Sequence, residues 1–235
     1  MSNYAIYLRI QPELYLRFQQ VTDQINTAHA PRQAKALGVV LADLACAVLD
    51  QVFTELIGKV ADSESAEASH QSRENSQQVI DKIAGCIKQY MPYAVSFFNN
   101  QRLSPLVNYL ATCIRQREGQ YYLCYAIDTG LAESQIQNLN RIREGDDQAV
   151  KITFTNLIKI IDLGVHALIV KPKSLLKFNF LLNKTLDGVI HMCTHMGYQR
   201  LEKVTTHLTA IQAEPYLDHF FAFMQQEPQN HFVTQ

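Results

Sequence analysis

Asp187, His191 and His195 recur at four-residue intervals, so a helix would project all three side chains from one face. Two imidazoles one turn apart suit a divalent metal, and a carboxylate one turn further along would allow metal-assisted hydrolysis. Arg200 and His207, seven residues apart, also share a helical face. There the histidine could serve as general acid or base beside an arginine that holds a phosphate. Asp43, Asp50 and Thr54 fall within about 40° of one another on an otherwise apolar helix. That stripe is read as the helix's solvent-facing edge rather than the wall of a polar pocket, because buried unpaired carboxylates are costly. Lys173, Lys177 and Lys184, which follow Lys171-Pro172, line the outer side of an amphipathic segment and could meet phosphates or an acidic partner.

Helical phase decides the first case. Leu175, Phe178, Leu182, Leu186, Val189, Cys193 and Met196 form an apolar stripe, and His191 lies about 180° from its centre. The Asp/His/His row therefore faces solvent or a partner chain, not the bundle core where helical metal enzymes place their ligands. No metal and no cofactor is assigned on this basis.

Two resemblances bear on the other groups. The Arg200-x6-His207 spacing resembles the Arg-x4-6-His motif of the HEPN ribonucleases, an all-helical family. The resemblance implies RNA cleavage, with His207 in the acid–base role and Arg200 on the scissile phosphate. It covers eight residues, and Leu201 stands where that family usually has a polar residue after the arginine. The run from Tyr4 to Leu14 resembles the opening of a ribbon-helix-helix DNA-binding domain, a strand leading into a Pro-Glu-Leu helix start. That resemblance implies Ala5, Tyr7 and Arg9 entering a major groove. It ends after about fifteen residues, because the helix from Ala34 is longer and more apolar than that fold's second helix, and the strand carries one base only.

The elements that would position these residues are mostly helical. Ile80, Ile83, Ile87, Met91, Ala94 and Phe98 form the stripe of an amphipathic helix, with Pro92 expected to kink or split it. Ser104-Pro105 predicts a cap and first turn for a helix to about Arg117, and Asp146 or Asp147 opens a helix that Lys171-Pro172 stops. Ser174 is expected to cap the next helix and Gly197 to end it, with two shorter helices on either side of Pro215. Residues 34–60 form a rod apolar nearly all round, which predicts a central buried helix. Residues 3–10 alternate and residues 120–127 are rich in tyrosine, so both read as strands and are expected to pair as one short two-stranded ribbon. The fold class is mainly α, a multi-helix bundle around a central apolar helix. Residues 1–61 hold the strand and the central helix, 62–78 a polar linker or exposed helix end, and 79–235 a helical bundle, together one composite domain.

Composition narrows the function classes. Hydrophobic residues make up 47% of the 235, enough apolar surface to order the chain. A formal net charge of −1 disfavours non-specific grip on a nucleic-acid backbone. Five scattered cysteines read as free thiols, and neither a secretory signal nor a run of ~20 uncharged apolar residues is evident, so the expected location is the cytoplasm, with no membrane partner. Phosphate-cradling glycine loops and nucleophile elbows are absent from the sequence. The expectation is a non-enzymatic regulatory or adaptor protein acting through protein–protein contact, as a homo-oligomer. The alternative is a helical-bundle enzyme, HEPN-like or metal-assisted. A third class is a bundle whose 11 tyrosines and 11 phenylalanines help line a pocket for an apolar small molecule.

Overall fold

A computed structural model describes residues 3–54, 66–206 and 208–227 of the chain. The sequence patterns place a mainly helical fold with a small sheet on one side. In chain order the elements are β1 (Asn3–Ile10), α1 (Pro12–Asn26), α2 (Ala34–Leu49), α3 (Ala66–Val95), α4 (Asn100–Thr112), β2 (Ile114–Arg117) and β3 (Gln120–Ile127). Then follow α5 (Thr129–Arg143), α6 (Asp147–Val165), α7 (Lys171–Leu175), α8 (Phe180–Thr205), α9 (Ala210–Phe221) and β4 (Met224–Glu227). Single π-helical turns extend α2 over Asp50–Thr54 and join α6 to α7 over His166–Val170.

The expected pairing of residues 3–10 with 120–127 is present, antiparallel from Tyr4 opposite Ile127 to Ile10 opposite Tyr121. The sheet is larger than a ribbon, however. Among the described residues it has four strands in the order β2-β3-β1-β4, all neighbours antiparallel. The β2–β3 hairpin turns at Glu118 and Gly119, both with positive φ (51° and 76°), the two left-handed residues that a tight hairpin of this hand requires. Alternation sends Ile6, Leu8 and Ile10 into the main core, while Ala5 and Tyr7 bury against Tyr122 and Cys124 on the other face. Arg117 lies over the Tyr7 ring, and the Tyr7 hydroxyl donates to Glu227 of β4 at 3.2 Å.

Several helix boundaries differ from expectation, each for a local reason. Asn99, not Ser104, caps α4, accepting from the Arg102 amide at 3.0 Å, while the Ser104 hydroxyl is spent on Asn26 of α1. Pro92 sits in the last turn of an unbroken α3. Lys171-Pro172 does not stop the chain of helices. The π turn directs the Lys171 amide to the His166 carbonyl, and the Ala167 carbonyl accepts instead from the Tyr109 hydroxyl at 2.9 Å. The break comes at Lys177, with φ of 48°, after which Asn179 rather than Ser174 caps α8. Gly197 lies inside α8, and Pro215 inside a single α9 that opens on a Thr209/Gln212 capping box. Residues 66–78 of the expected polar linker or exposed helix end are helical, and 62–65 lie outside the described residues.

Asp146 opens α6 as expected, accepting from the Gln148 amide at 2.9 Å. The Arg141 guanidinium, bonded to it at 2.6 Å, holds its carboxyl below the usual carboxylate range. The core runs through α2, whose Leu37 is fully buried, and spreads to Leu103, Val107, Val150, Phe154 and Leu217. Among the described residues two stretches, Ala34–Phe53 and Asp147–Leu175, are long and apolar enough to cross a membrane by length and composition, with mean hydropathies of 1.9 and 1.5. The requirement of an uncharged run missed them, since each passes only with a few charges allowed. Both supply core residues here, Leu37 and Leu44 from the first and Phe154 and Leu157 from the second, a role that meets the same test.

Candidate functional site

The helices do not close on the sheet. Between them lies a partly open cavity of about 360 Å³, walled almost wholly by carbon. Its sheet wall is Ile6, Leu8, Leu123 and Tyr125, placed there by the strand alternation that feeds the core. Opposite stand Leu44 and Val48 of α2, Ile83 and Ile87 of α3, Leu157 and Ile160 of α6, and Leu186 of α8. Phe220 of α9 closes one end, where the buried His219 Nε2 donates to the Gln51 carbonyl at 3.1 Å and fixes α9 to the end of α2.

The few polar groups in this wall are electrically neutral or already engaged. Burial pushes the Tyr125 phenol and the Cys193 thiol up, the latter to about 11 with Cys86 beside it contributing. The Tyr198 phenol is raised by burial and by Asp162, to which it donates at 3.1 Å on the outer side. Lys173 forms an ion pair with Asp187. Gln135 of α5 is the exception. Only 1% exposed, it donates from Nε2 to the Thr153 carbonyl of α6 at 3.1 Å, while its Oε1 is buried with no partner among the described residues. A carbonyl can only accept, so the amide orientation is fixed by Thr153 and the orphan atom is the oxygen.

Of the residues singled out in the sequence, Lys173 borders this cavity, while Asp43, Asp50, Asp187, His191 and His195 are not among its lining residues. Asp187, His191 and His195 do share the outer face of α8, and the two imidazoles stack at 5.8 Å. Asp187 is engaged by Lys173 and Asn183, and among the described residues no three His, Cys, Asp or Glu side chains converge to hold a metal ion. Asp43 pairs with Arg17 of α1 at 2.9 Å and Asp50 is exposed, so the stripe on α2 is a solvent-facing edge; the Thr54 side chain lies outside the described residues. His207 and the Arg200 side chain also lie outside them.

The ribbon-helix-helix resemblance is corrected by the sheet. β1 is held between β3 and, over Asn3–Ile6, β4, and Ala5 and Tyr7 are buried, so two of the three residues that the resemblance would send into a groove are already covered. Lys171, Lys177 and Lys184 are exposed around the start of α8.

Sequence reading missed Gln135, although a signal existed. Ala132, Gln135, Leu139 and Ile142 follow helical spacing of three, four and three, which sets the glutamine within the buried stripe of α5. The void itself left no such trace. No protein-family model, curated protein or solved structure matches the chain.

Proposed function

We propose that this protein binds an elongated, apolar small molecule in its central cavity. The observation that carries this reading is the cavity's size in relation to its walls. Left unfilled, apolar walls around a space of about 360 Å³ forfeit the packing contacts that a filled core would make. Water does not offset that cost, because it needs two to four polar partners and the wall offers almost none. An apolar occupant restores the lost contacts. Scaling from a ~150 Å³ cavity that accepts benzene, the space suits a chain of roughly fourteen carbon atoms.

Native mass spectrometry of the purified protein tests this, followed by thermal unfolding after organic extraction and re-addition of 1-tetradecanol. The expected result is a co-purified molecule of lipid mass. At a hundredfold excess over Kd the re-added alcohol should also raise Tm by about 5–10 °C. A protein that carries nothing and melts at the same temperature with and without the alcohol overturns the reading.

A second reading, an interaction protein that self-associates, is favoured by one observation. Phe180 and Leu181 begin α8 with 82% and 76% of their surface exposed, an unusual display for adjacent large apolar side chains. Self-association through this end predicts an oligomer by light scattering that Phe180→Ser/Leu181→Ser converts to a monomer. A wild-type chain that is monomeric at all concentrations would remove this reading and leave the first intact.

A further inference from the structure

A cavity for an apolar molecule needs a route to its source, because such a molecule partitions into membranes rather than water. We infer that the start of α8 docks on an anionic membrane surface, with Phe180 and Leu181 entering the bilayer interface and Lys171, Lys177 and Lys184 meeting its headgroups. The purpose of this docking rests on the cavity reading; the docking itself is carried by three observations.

The first is exposure. The chain breaks at Lys177 and restarts at the Asn179 cap, which leaves Phe180 and Leu181 on the surface, 82% and 76% exposed. At about 100° per residue, Phe180, Lys184 and Leu181 share an arc of about 100° on α8, opposite the Leu186 and Cys193 side that lines the cavity. Large apolar side chains set among lysines are the pattern of a helix that lies in a membrane interface. The expectation of no membrane partner rests on the lack of a crossing run, which surface docking does not need.

The second is charge. Residues 171–187 hold four lysines and one acid, Asp187, in a chain whose net charge is −1. Asp187 pairs with Lys173, and among the described residues no ion pair engages Lys171, Lys177 or Lys184. Helix α4, which packs on α7, brings no acid. Its Arg102 donates to the Leu176 and Lys177 carbonyls at 3.0 and 3.3 Å and so fixes the turn that presents the pair. A second copy docked through the same patch would gather lysines on both sides, because a two-fold interface is self-complementary. An anionic bilayer offers the opposite charge.

The third is position. Lys173, Leu176 and Phe178 line the cavity, and Phe180 follows two residues later. Lys173 also reaches the exposed Asp187, so at this end one side chain joins the cavity wall to the outer surface.

Co-sedimentation of the full-length protein with vesicles of phosphatidylcholine, alone or with roughly one-third phosphatidylserine, tests the docking at low salt. Binding to the anionic vesicles is expected to be about a hundredfold tighter, roughly fivefold per exposed lysine, and to weaken as salt rises. Phe180→Ser/Leu181→Ser leaves the charge intact and should weaken binding by at least about thirtyfold. Lys177→Glu/Lys184→Glu should remove the preference for phosphatidylserine. All four side chains are exposed, and an unchanged Tm shows that both variants are folded. Equal binding of the two vesicle types by the wild type, or undiminished binding by the serine variant, overturns the inference. So does a protein that ignores vesicles but forms a dimer that the serine variant splits, which assigns the patch to a second copy. A protein that ignores vesicles yet carries a molecule of lipid mass overturns the docking and leaves the cavity reading intact. Vesicle binding by a protein that carries nothing and does not respond to 1-tetradecanol supports the docking and removes the cargo.

Discussion

Alanine at position 38 is expected to lower folding stability by about 3 kcal/mol, the upper end of what overpacking usually costs. A Cβ built on Gly38 would lie 2.5 Å from Pro92 Cα and 2.9 Å from Val95 Cγ2. The first of these is backbone, so no rotamer change relieves it and α3 itself must retreat from α2. That contact is the most extensive between any two helices described, and it positions the α2 and α3 walls of the cavity. Urea unfolding should show a lower midpoint at an unchanged slope, with Tm falling by about 6–12 °C. Gly188, also in a helix, faces open space: a Cβ added there would meet nothing within 4 Å, so Gly188→Ala should hold or slightly raise stability. Equal effects at the two glycines would show that α2 and α3 do not meet closely at Pro92.

What the sequence revealed, and what it hid, follows from the range of the signals. Alternation along β1 and the stripe of Val150, Phe154 and Leu157 on α6 are properties of neighbouring residues, and both are built as their periods suggest. The Asp146 cap is equally local. β2 and β4 carry only Ile-Arg-Gln-Arg and Met-Gln-Gln-Glu, four residues each with no apolar alternation, and they form because β3 and β1 offer unpaired edges. Pro172 misled because its effect depends on the register of the preceding turn, which tertiary packing by Tyr109 sets. The cavity was hidden for a deeper reason. A periodic stripe says which face of a helix avoids water; it does not say whether two such faces touch. Leu157 reads the same whether it meets another side chain or an empty space.

That ambiguity is what a larger side chain at Leu157 resolves. In a filled core, Leu157→Phe would force strained rotamers and cost about 1–3 kcal/mol. Beside a void, the ring enters free space, gains contacts and raises the stability of the extracted protein by about 0.5–2 kcal/mol. The sign of the change therefore discriminates between the two. Leu157 is on α6, buried at the cavity wall, and Ala45 of α2 lines the same space, so Ala45→Leu gives a second variant at an independent position. Each should also weaken binding of a tetradecyl chain by at least about tenfold, because the added atoms occupy volume that the chain would fill. The combined pattern is the informative one: more stable when empty, and less responsive to ligand. Loss of stability in both variants, with the ligand response unchanged, would place their side chains in an already packed interior and remove the physical basis for an occupant.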